Sequence, residues 1–330
     1  MTGTDRDWPG VSVVMPVLNE EPHLAAAVGR VLEQDYPGPL EVIMAVGPSR
    51  DRTAEIAAGL AAGDNRLRVV DNPAGKTPHA LNLAIAASRY DIVVRVDGHG
   101  ELGDGYIVRA VELLAETGAA NVGGVMDAQG RTPFEEAVAY VYTSPYGLGG
   151  AAFHQGDVPA GPADTVFLGV FDKAELLAVG GFDESMHRAQ DWELNYRLRT
   201  SGRLIWFSPE LRVTYRPRSS LPALAKQMYD TGKWRREVVR RHSDTASLRY
   251  LAPPAAVVAI SGGTLAAWFG RRIGSRPLQL GALAPLGYAA FVAYVTATAP
   301  GALSPAARRW LPVVLAATHL AWGAGFLVGR

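Results

Sequence analysis

Three long apolar stretches in the last quarter of this 330-residue chain limit what it folds into more than any other feature. They cover about residues 251–270, 278–299 and 310–329 and contain no Asp, Glu, Lys or Arg and a single histidine, His319. Each is about 20 residues long, the length that crosses ~30 Å of hydrocarbon as an α-helix. The sequence therefore predicts a membrane domain over 250–330 with about three transmembrane helices. The alternative, a bundle of buried helices in a soluble protein, would need polar faces that these segments lack.

A basic segment, residues 221–249, precedes the first apolar stretch. Its apolar residues fall on one helical face, which is typical of a helix in the membrane interface and equally of a surface helix packed on a protein core. Clusters of Lys and Arg mark the cytoplasmic side of a membrane and attract anionic headgroups by ~1 kcal/mol per charge. We therefore expect a multi-pass inner-membrane protein that contacts membrane lipids and whose remaining part is cytoplasmic. The cluster consists of Lys226, Lys233, Arg235, Arg236, Arg240, Arg241 and Arg249.

One loop disagrees with this simple topology. Arg271, Arg272 and Arg276 follow the first apolar stretch, in a loop that three simple spans place outside the cell. Basic residues are disfavoured on that side. Either the first stretch is re-entrant or the charge rule is overridden at this loop.

Charge and cysteine content exclude several classes of function. The chain has 32 Lys and Arg against 32 Asp and Glu, and no cysteine. Without a net positive field, nucleic-acid binding is disfavoured, and without cysteine there is neither a disulfide framework nor thiolate chemistry. Residues 1–10 are polar and lack the basic-then-apolar pattern of a signal peptide, so we expect membrane insertion to depend on the C-terminal spans.

Strands and helices alternate through the first hundred residues. Apolar, β-branched runs predict strands at 11–16, 41–46, 67–70 and 91–96. This rhythm specifies an α/β domain with a mainly parallel sheet and right-handed crossovers, an architecture that binds nucleotides. We assign it residues 1–220. Helices are predicted up to residue 32 and at 53–62, 77–88, 106–117, 132–141, 173–179 and 191–201, further strands at 121–126 and 166–171, and a long loop at 142–165.

Asp97 and His99 follow the fourth predicted strand directly, with Gly98 between them. Open α/β sheets bind ligands just beyond the carboxyl ends of their strands. A carboxylate and an imidazole at that edge can hold a divalent metal against a diphosphate, which indicates an enzyme acting on sugar nucleotides. The alternative is a turn capped by Asp97, with His99 bonded to the backbone.

Six motifs match one protein family in the order in which that family carries them. Over residues 11–240 the chain resembles the family 2 glycosyltransferases of GT-A fold. The Asp-Gly-His sequence and the three C-terminal spans make it most similar to the membrane-bound, succinoglycan-type polysaccharide glycosyltransferases. The motifs are VVMPVLNE at 13–20, PSRDRT at 48–53, GK at 75–76 followed by ALN at 80–82, VDGH at 96–99, GGFDE at 180–184 and QDWE at 190–193.

The resemblance implies a binding site for a nucleotide-sugar donor. Pro16, Asn19 and Glu20 are expected to line the nucleoside pocket, with Glu20 accepting from the ribose hydroxyls or, alternatively, serving as an acid at a helix N-terminus. Asp51 corresponds to the acid that closes the turn after the second strand. Lys76 is expected to contact a phosphate as a point charge, unless it is simply a solvated lysine.

The same resemblance implies a metal site. Asp97 is the expected principal ligand and also part of the donor site, and His99 occupies the position where the family usually has a second aspartate. An imidazole shifts the preference from Mg²⁺ toward Mn²⁺, so we expect one of these two ions. The aspartate pair that commonly contacts the base is absent at Val46-Gly47, so this position does not distinguish uridine from guanosine. We expect a UDP-sugar as the donor, with a GDP-sugar as the alternative.

Asp191 is the candidate general base. Attack by an acceptor hydroxyl on an anomeric carbon needs a carboxylate opposite the leaving diphosphate, and such bases contribute typically ~10²–10⁴ in rate. The alternative is an N-cap aspartate. Trp192 is expected to stack on an acceptor sugar and Glu193 to bind its hydroxyls. Gln227 and Trp234-Arg235 match the motif of processive synthases only at a longer spacing, which argues against processive polymerisation.

The sequence thus predicts an inverting glycosyltransferase that moves a sugar from a nucleotide donor to a hydroxyl of a lipid-linked saccharide in cell-surface polysaccharide synthesis. Two alternatives stay open. A polyprenyl-phosphate glycosyl synthase would use an acceptor that is already anionic and would not need Asp191. A membrane scaffold would keep the fold and bind nucleotide without turnover.

Overall fold

The structure is a computed structural model that describes residues 7–186, 188–301 and 303–329. The chain divides into two compact units. The first, which we call the α/β unit, comprises Met1–Asp127 and Gln155–Tyr215, and the second, the helical unit, comprises Ala128–His154 and Arg216–Arg330.

The secondary structure follows the predicted alternation through the first half of the chain. Its strands are β1 Val11–Val17, β2 Leu40–Val46, β3 Leu67–Asp71, β4 Ile92–Arg95, β5 Glu101–Leu102, β6 Asn121–Ala128, β7 Gly161–Pro162, β8 Phe167–Asp172 and β9 Ile205–Tyr215. Its helices are α1 Leu24–Leu32, α2 Thr53–Gly63, α3 Thr77–Ala87, α4 Tyr106–Thr117, α5 Pro133–Thr143, α6 Lys173–Ala178, α7 Gln190–Thr200, α8 Leu221–Arg241, α9 Leu248–Ile273, α10 Arg276–Gln279, α11 Leu283–Thr298 and α12 Pro305–Val328.

The strands form a single mixed sheet in the order β3-β2-β1-β4-β8-β6-β9-β5, with β7 beside β9. The first four strands are parallel, and Val13 of β1 pairs with Val42 on one side and Val94 on the other. The carboxyl ends of β1, β2 and β4 therefore meet at one edge. β8 then runs antiparallel between β4 and β6.

The α/β class and the parallel half of the sheet confirm the prediction, and the antiparallel half was not foreseen. β9 lacks a clear strand signal because Pro209, Glu210 and Arg212 interrupt its apolar residues. In the fold, Leu211 and Val213 of this strand face the core while Glu210 and Arg212 face outward, so the charges are compatible with a half-exposed strand.

The helical unit is organised around α12, which packs against α5, α8 and α9. Glycines allow the close approaches. A Cβ atom at Gly232 of α8 would lie 2.0 Å from the Trp322 carbonyl oxygen, and one at Gly325 of α12 would lie 2.0 Å from the Tyr229 carbonyl oxygen. Small residues at such contacts let helix backbones approach each other closely.

Three helical segments of this unit, among the residues that the structure describes, are long and apolar enough to cross a membrane: Leu248–Ile273, Arg276–Thr298 and Pro305–Val328. Their positions agree with the three predicted stretches. Both ring nitrogens of His319, in the last segment, have hydrogen-bond partners. Its Nδ1 lies 3.1 Å from the Tyr288 hydroxyl, and its Nε2 lies 2.8 Å from the Tyr146 carbonyl oxygen.

Candidate active site

The loops after β1 and β2 are joined by hydrogen bonds at the carboxyl edge of the sheet. The Asn19 amide donates to Ser49 Oγ at 3.0 Å, and the Arg50 amide donates back to Asn19 Oδ1 at 2.8 Å. Glu20 is attached in the same way, because its amide donates to Thr53 Oγ1 at 2.8 Å. Asn19 has a left-handed backbone with φ of 55°, which asparagine tolerates better than most residues. Hydrogen bonds thus attach the loop after β1, which is predicted to bind the nucleoside, to the loop after β2.

Asp51 acts inside this junction. Its Oδ1 accepts from the hydroxyl and amide of Thr53, and its Oδ2 accepts from the Glu21 amide at 3.2 Å. The hydrogen bond from the Thr53 hydroxyl is the largest cause that holds the pKa of Asp51 below its ordinary value, and the backbone amides add to it. The carboxylate therefore holds the two loops together.

The guanidinium of Arg95 lies at the end of β4 and contacts two of the predicted site residues. Its Nε and Nη2 donate to Asp97 Oδ1 at 3.1 and 3.0 Å, and its Nη1 contacts Asp191 Oδ1. The Arg95 side chain is 4% exposed, whereas those of Asp97 and Asp191 are 28% and 37% exposed. One buried cation thus fixes two carboxylates that remain accessible from outside.

Asp191 is held in place by the helix that carries it. α7 follows Ala189, whose φ of 59° turns the chain sharply into the helix. Two residues beyond Asp191, the buried carboxylate of Glu193 accepts from Arg197 at 2.7 and 2.8 Å. Arg197 also donates to the Gly181 carbonyl oxygen at 2.8 Å, which ties α7 to the loop before it.

That loop, the GGFDE motif, is clamped from α3. The Asn82 side chain donates to the Phe182 carbonyl oxygen and accepts from the Phe182 amide, both at 2.9 Å. The Phe182 ring in turn packs under the guanidinium of Arg95, with 5.9 Å from Cζ to the ring centroid. The ALN motif therefore fixes the GGFDE loop through Asn82, and the GGFDE loop contacts Arg95 through Phe182.

His99, two residues beyond Asp97, pairs with Glu20. Its Nδ1 is 2.8 Å from Glu20 Oε1, and the His99 side chain is 40% exposed. In the described ranges, no group of three or more His, Cys, Asp or Glu residues is arranged to hold a metal ion. Mg²⁺ is commonly held by one or two carboxylates together with substrate phosphates. The donor types of Asp97 and His99, a carboxylate and an imidazole, are compatible with a divalent metal of this kind.

The remaining predicted site residues, Pro16, Lys76 and Trp192, differ in their contacts with the rest of the protein. Pro16 is half-buried in β1, opposite Ala45 of β2. Lys76 precedes α3 and is exposed, and its ammonium group forms no hydrogen bond or ion pair within the described part of the chain. Trp192 stacks on Tyr196 with 5.6 Å between ring centroids. Of these residues, Lys76 alone presents an uncommitted charge.

Sequence reasoning assigned no role to Arg95 or Asn82. A signal for Arg95 was present, since an arginine inside an apolar β-branched run has to be paired when the strand is buried. Asn82 was visible only as part of a motif, because nothing in a sequence shows which loop an amide will clamp.

These loops and carboxylates, at the edge of a mixed sheet whose first four strands are parallel, define a nucleotide-sugar-dependent transferase fold. The chain belongs to the family 2 glycosyltransferases, and the family model "Glycosyl transferase family 2" matches residues 12–161. The chain is 33% identical over 319 residues to the succinoglycan biosynthesis protein ExoA of Rhizobium meliloti (strain 1021), covering 95% of this chain and 93% of that protein. The prediction of a succinoglycan-type family 2 glycosyltransferase is therefore confirmed.

More distant relatives are similar over most of the chain. A dolichyl N-acetyl-alpha-D-glucosaminyl phosphate 3-beta-D-2,3-diacetamido-2,3-dideoxy-beta-D-glucuronosyltransferase of Methanococcus voltae is 24% identical over 244 residues, covering 70% of this chain and 74% of that protein. Among solved structures, the mannosyltransferase PcManGT of Pyrobaculum calidifontis, in complex with GDP-Man and Mn²⁺, superposes with a TM-score of 0.56 at 19% identity over 95% of this chain and 88% of that one. The structure of GalNAc-T7 with UDP, GalNAc and Mn²⁺ superposes with a TM-score of 0.50 at 14% identity. The match covers 68% of this chain and 48% of that one. The two structures establish the GT-A fold.

Proposed function

We propose that this enzyme is an inverting glycosyltransferase that moves one sugar from a nucleotide-diphosphate donor to a hydroxyl of a lipid-linked saccharide in polysaccharide synthesis. The observation that carries the proposal is the Arg95 guanidinium, which contacts the expected metal ligand Asp97 and the expected base Asp191 together. A metal ligand and a base have to act on opposite sides of one anomeric carbon. Their attachment to one buried side chain supports a shared site.

The donor side is formed by the loops at the carboxyl edge. Pro16, Asn19 and Glu20 bind the nucleoside, and Lys76 contributes a charge toward a phosphate. Asp97 and His99 hold a divalent metal, either Mn²⁺ or Mg²⁺. When bound, that metal neutralises the charge that develops on the leaving diphosphate.

The reaction is a single displacement. The acceptor hydroxyl oxygen attacks the anomeric carbon while the bond from that carbon to the diphosphate oxygen breaks. Asp191 takes the hydroxyl proton, and the nucleoside diphosphate leaves with the bonding electrons. Because no enzyme nucleophile intervenes, an α-linked donor gives a β-glycoside.

The acceptor side is formed by α7. Trp192 follows the base directly in the sequence, and we assign its ring to contact with an acceptor sugar. Glu193 and Asp51 act indirectly, because their carboxylates already accept hydrogen bonds from Arg197 and from the loop amides respectively. They hold the base and the nucleoside loop in position.

Three features support a lipid-linked acceptor and a cytoplasmic site at the inner membrane. The helical unit contains three segments that are able to span a bilayer, and the basic residues of α8 precede the first of them. Such charges favour the cytoplasmic side and anionic lipids. The relative from Methanococcus voltae is named for a dolichyl-phosphate-linked acceptor.

The test is donor consumption by the full chain in lipid nanodiscs, with membrane-lipid extract as acceptor. A panel of UDP- and GDP-sugars is supplied with Mn²⁺ or Mg²⁺, and Asp191→Asn is compared with Asp104→Asn, a surface control whose side chain is 95% exposed. We expect one donor to be consumed and Asp191→Asn to lower kcat by roughly 10²–10⁴ while the control has no effect.

The two alternatives give different results in the same assay. Retention of most activity by Asp191→Asn would favour a lipid phosphate as the acceptor, since that group needs no general base. Tight nucleotide binding without consumption of any donor would favour a non-catalytic scaffold and would overturn the assignment of Asp97 and Asp191.

A further inference from the structure

Two arginines of the helical unit converge on one aromatic ring. The Cζ atom of Arg235 in α8 lies 4.0 Å from the ring centroid of Tyr250, and that of Arg249 in α9 lies 5.5 Å from the same centroid. Guanidinium groups stack favourably on aromatic faces. The ring therefore brings two positive charges close together, from helices separated by a turn in the sequence.

The proximity of these two guanidinium groups is electrostatically unfavourable. Burial lowers the pKa of Arg235, and the charge of Arg249 adds to this effect. Arg249 is exposed and donates to the Leu148 carbonyl oxygen at 3.2 Å, and it has no carboxylate partner within the described residues. A group of negative charge between the two arginines would offset their repulsion and form charge-assisted hydrogen bonds with both.

The neighbouring histidine does not add a third charge. Burial lowers the pKa of His154 to about 3, with Arg249 as a second cause, so its imidazole is neutral at physiological pH. Its Nδ1 is buried and has no hydrogen-bond partner among the residues described. The positive charge on the Tyr250 ring therefore comes from the two arginines and not from His154.

The cluster lies where a membrane helix begins. Tyr250 is in the first turn of α9, the first of the three apolar segments, and its ring stacks on Trp322 near the end of α12 at 6.5 Å between centroids. Tyr and Trp are enriched at the level of lipid headgroups. An anion at this level of a membrane is most simply the phosphate of a lipid.

We propose that Arg235 and Arg249, packed on Tyr250, bind the phosphate group of the lipid that carries the acceptor saccharide. The inference rests on the proposed function for the identity of that lipid. The site would hold the lipid by its charged group. A headgroup phosphate of a bulk phospholipid has the same chemistry, so the test has to separate the two sources.

The experiment measures binding of undecaprenyl phosphate to the full chain in detergent by titration calorimetry, with undecaprenol as the uncharged probe. We expect Arg235→Gln and Arg249→Gln each to raise the Kd about tenfold or more, the usual effect of losing a hydrogen bond between charged groups. Arg272→Gln is the matched control, because its Cζ lies 4.4 Å from the Trp268 centroid at the other end of α9. Binding of undecaprenol should be weak and insensitive to all three changes.

Equal affinity of Arg249→Gln and the wild type for undecaprenyl phosphate would overturn the proposal, and because Arg249 is exposed this variant is expected to fold. A second arm uses phosphatidylglycerol nanodiscs. If the arginine changes weaken only attachment to phosphatidylglycerol, the site is a general headgroup contact and the acceptor assignment is wrong. Binding needs no donor or metal, so a failure of the catalytic mechanism would leave this measurement intact, and the reverse also holds.

Discussion

At the scale of single residues, Arg95 connects the two halves of the proposed chemistry. Its guanidinium contacts Asp97, which we assign to the donor side, and Asp191, which we assign to the acceptor side. The guanidinium also packs over the ring of Phe182. Lysine cannot replace it fully, because a point charge on a flexible stem does not present a planar fork to two carboxylates. Arg95 is accordingly a positioning residue in the proposed mechanism.

We expect Arg95→Met to lower kcat by about 10² or more, and Arg95→Lys to recover only part of the loss, because misplacement of catalytic groups by ~1 Å costs rates of that order. Steady-state kinetics with the consumed donor measure both. Guanidinium ion added to Arg95→Met should restore some turnover. Arg66→Met removes a similar bidentate pair with Asp64 at the surface and should leave kcat unchanged. A loss of turnover that neither lysine nor guanidinium relieves would contradict the positioning role.

Other residues show how far a sequence allows such a site to be predicted. Asp97, His99 and Asp191 could be proposed from the sequence, because the family resemblance and the chemistry of the reaction both point to their residue types. The pairing of His99 with Glu20, and the use of Asp51 and Glu193 as internal anchors, could not, because these depend on which loops the fold brings together. Whether a carboxylate contacts the substrate or holds two parts of the protein together depends on its neighbours in the fold, and those neighbours are distant in the sequence.

At the scale of elements, the strand and helix periodicities predicted the parallel half of the sheet and the three apolar helices to within a few residues. β9 escaped prediction, since a proline and two charges obscure the alternation of a strand that is buried on one face only. The close contacts between α8 and α12 at their glycines could not be predicted either, because the sequence does not show which helix packs against a given glycine.

These contacts lead to a prediction about helix packing. Gly232→Ala and Gly325→Ala each place a Cβ 2.0 Å from a backbone carbonyl oxygen of the facing helix, which has to move. We expect each to destabilise the full chain by about 1–3 kcal/mol, the usual cost of overpacking. Thermal unfolding in detergent, followed by circular dichroism, measures the change.

Gly262→Ala in α9 is the matched control, because nothing lies within 4 Å of a Cβ at that position. It should leave stability unchanged or raise it by up to about 1 kcal/mol, since alanine favours a helix more than glycine does. Similar unfolding midpoints for all three variants would show that α8 and α12 are not closely packed.

At the scale of the whole molecule, the orientation in the membrane follows from α9. This helix is continuous over 26 residues, which at 1.5 Å per residue exceeds the ~30 Å of a hydrocarbon core. We therefore expect a full crossing, so that Arg271 at its end is outside the cell despite the basic residues around it, and the α/β unit is inside.

The absence of cysteine allows a direct test with single introduced thiols. In intact cells, a membrane-impermeant maleimide should label Arg271→Cys, and Ala62→Cys in α2 should react only after permeabilisation. Both positions are exposed in the fold. Labelling of both only after permeabilisation would instead indicate that the first apolar segment is re-entrant.

The most direct test of the central claim is the anomeric configuration of the first product. Proton NMR of the product, recorded during turnover of an α-linked donor, distinguishes α from β linkage at the transferred sugar. A single displacement assisted by Asp191 predicts a β-linked product throughout the reaction. An α-linked first product would require a different mechanism and would contradict the role proposed for Asp191.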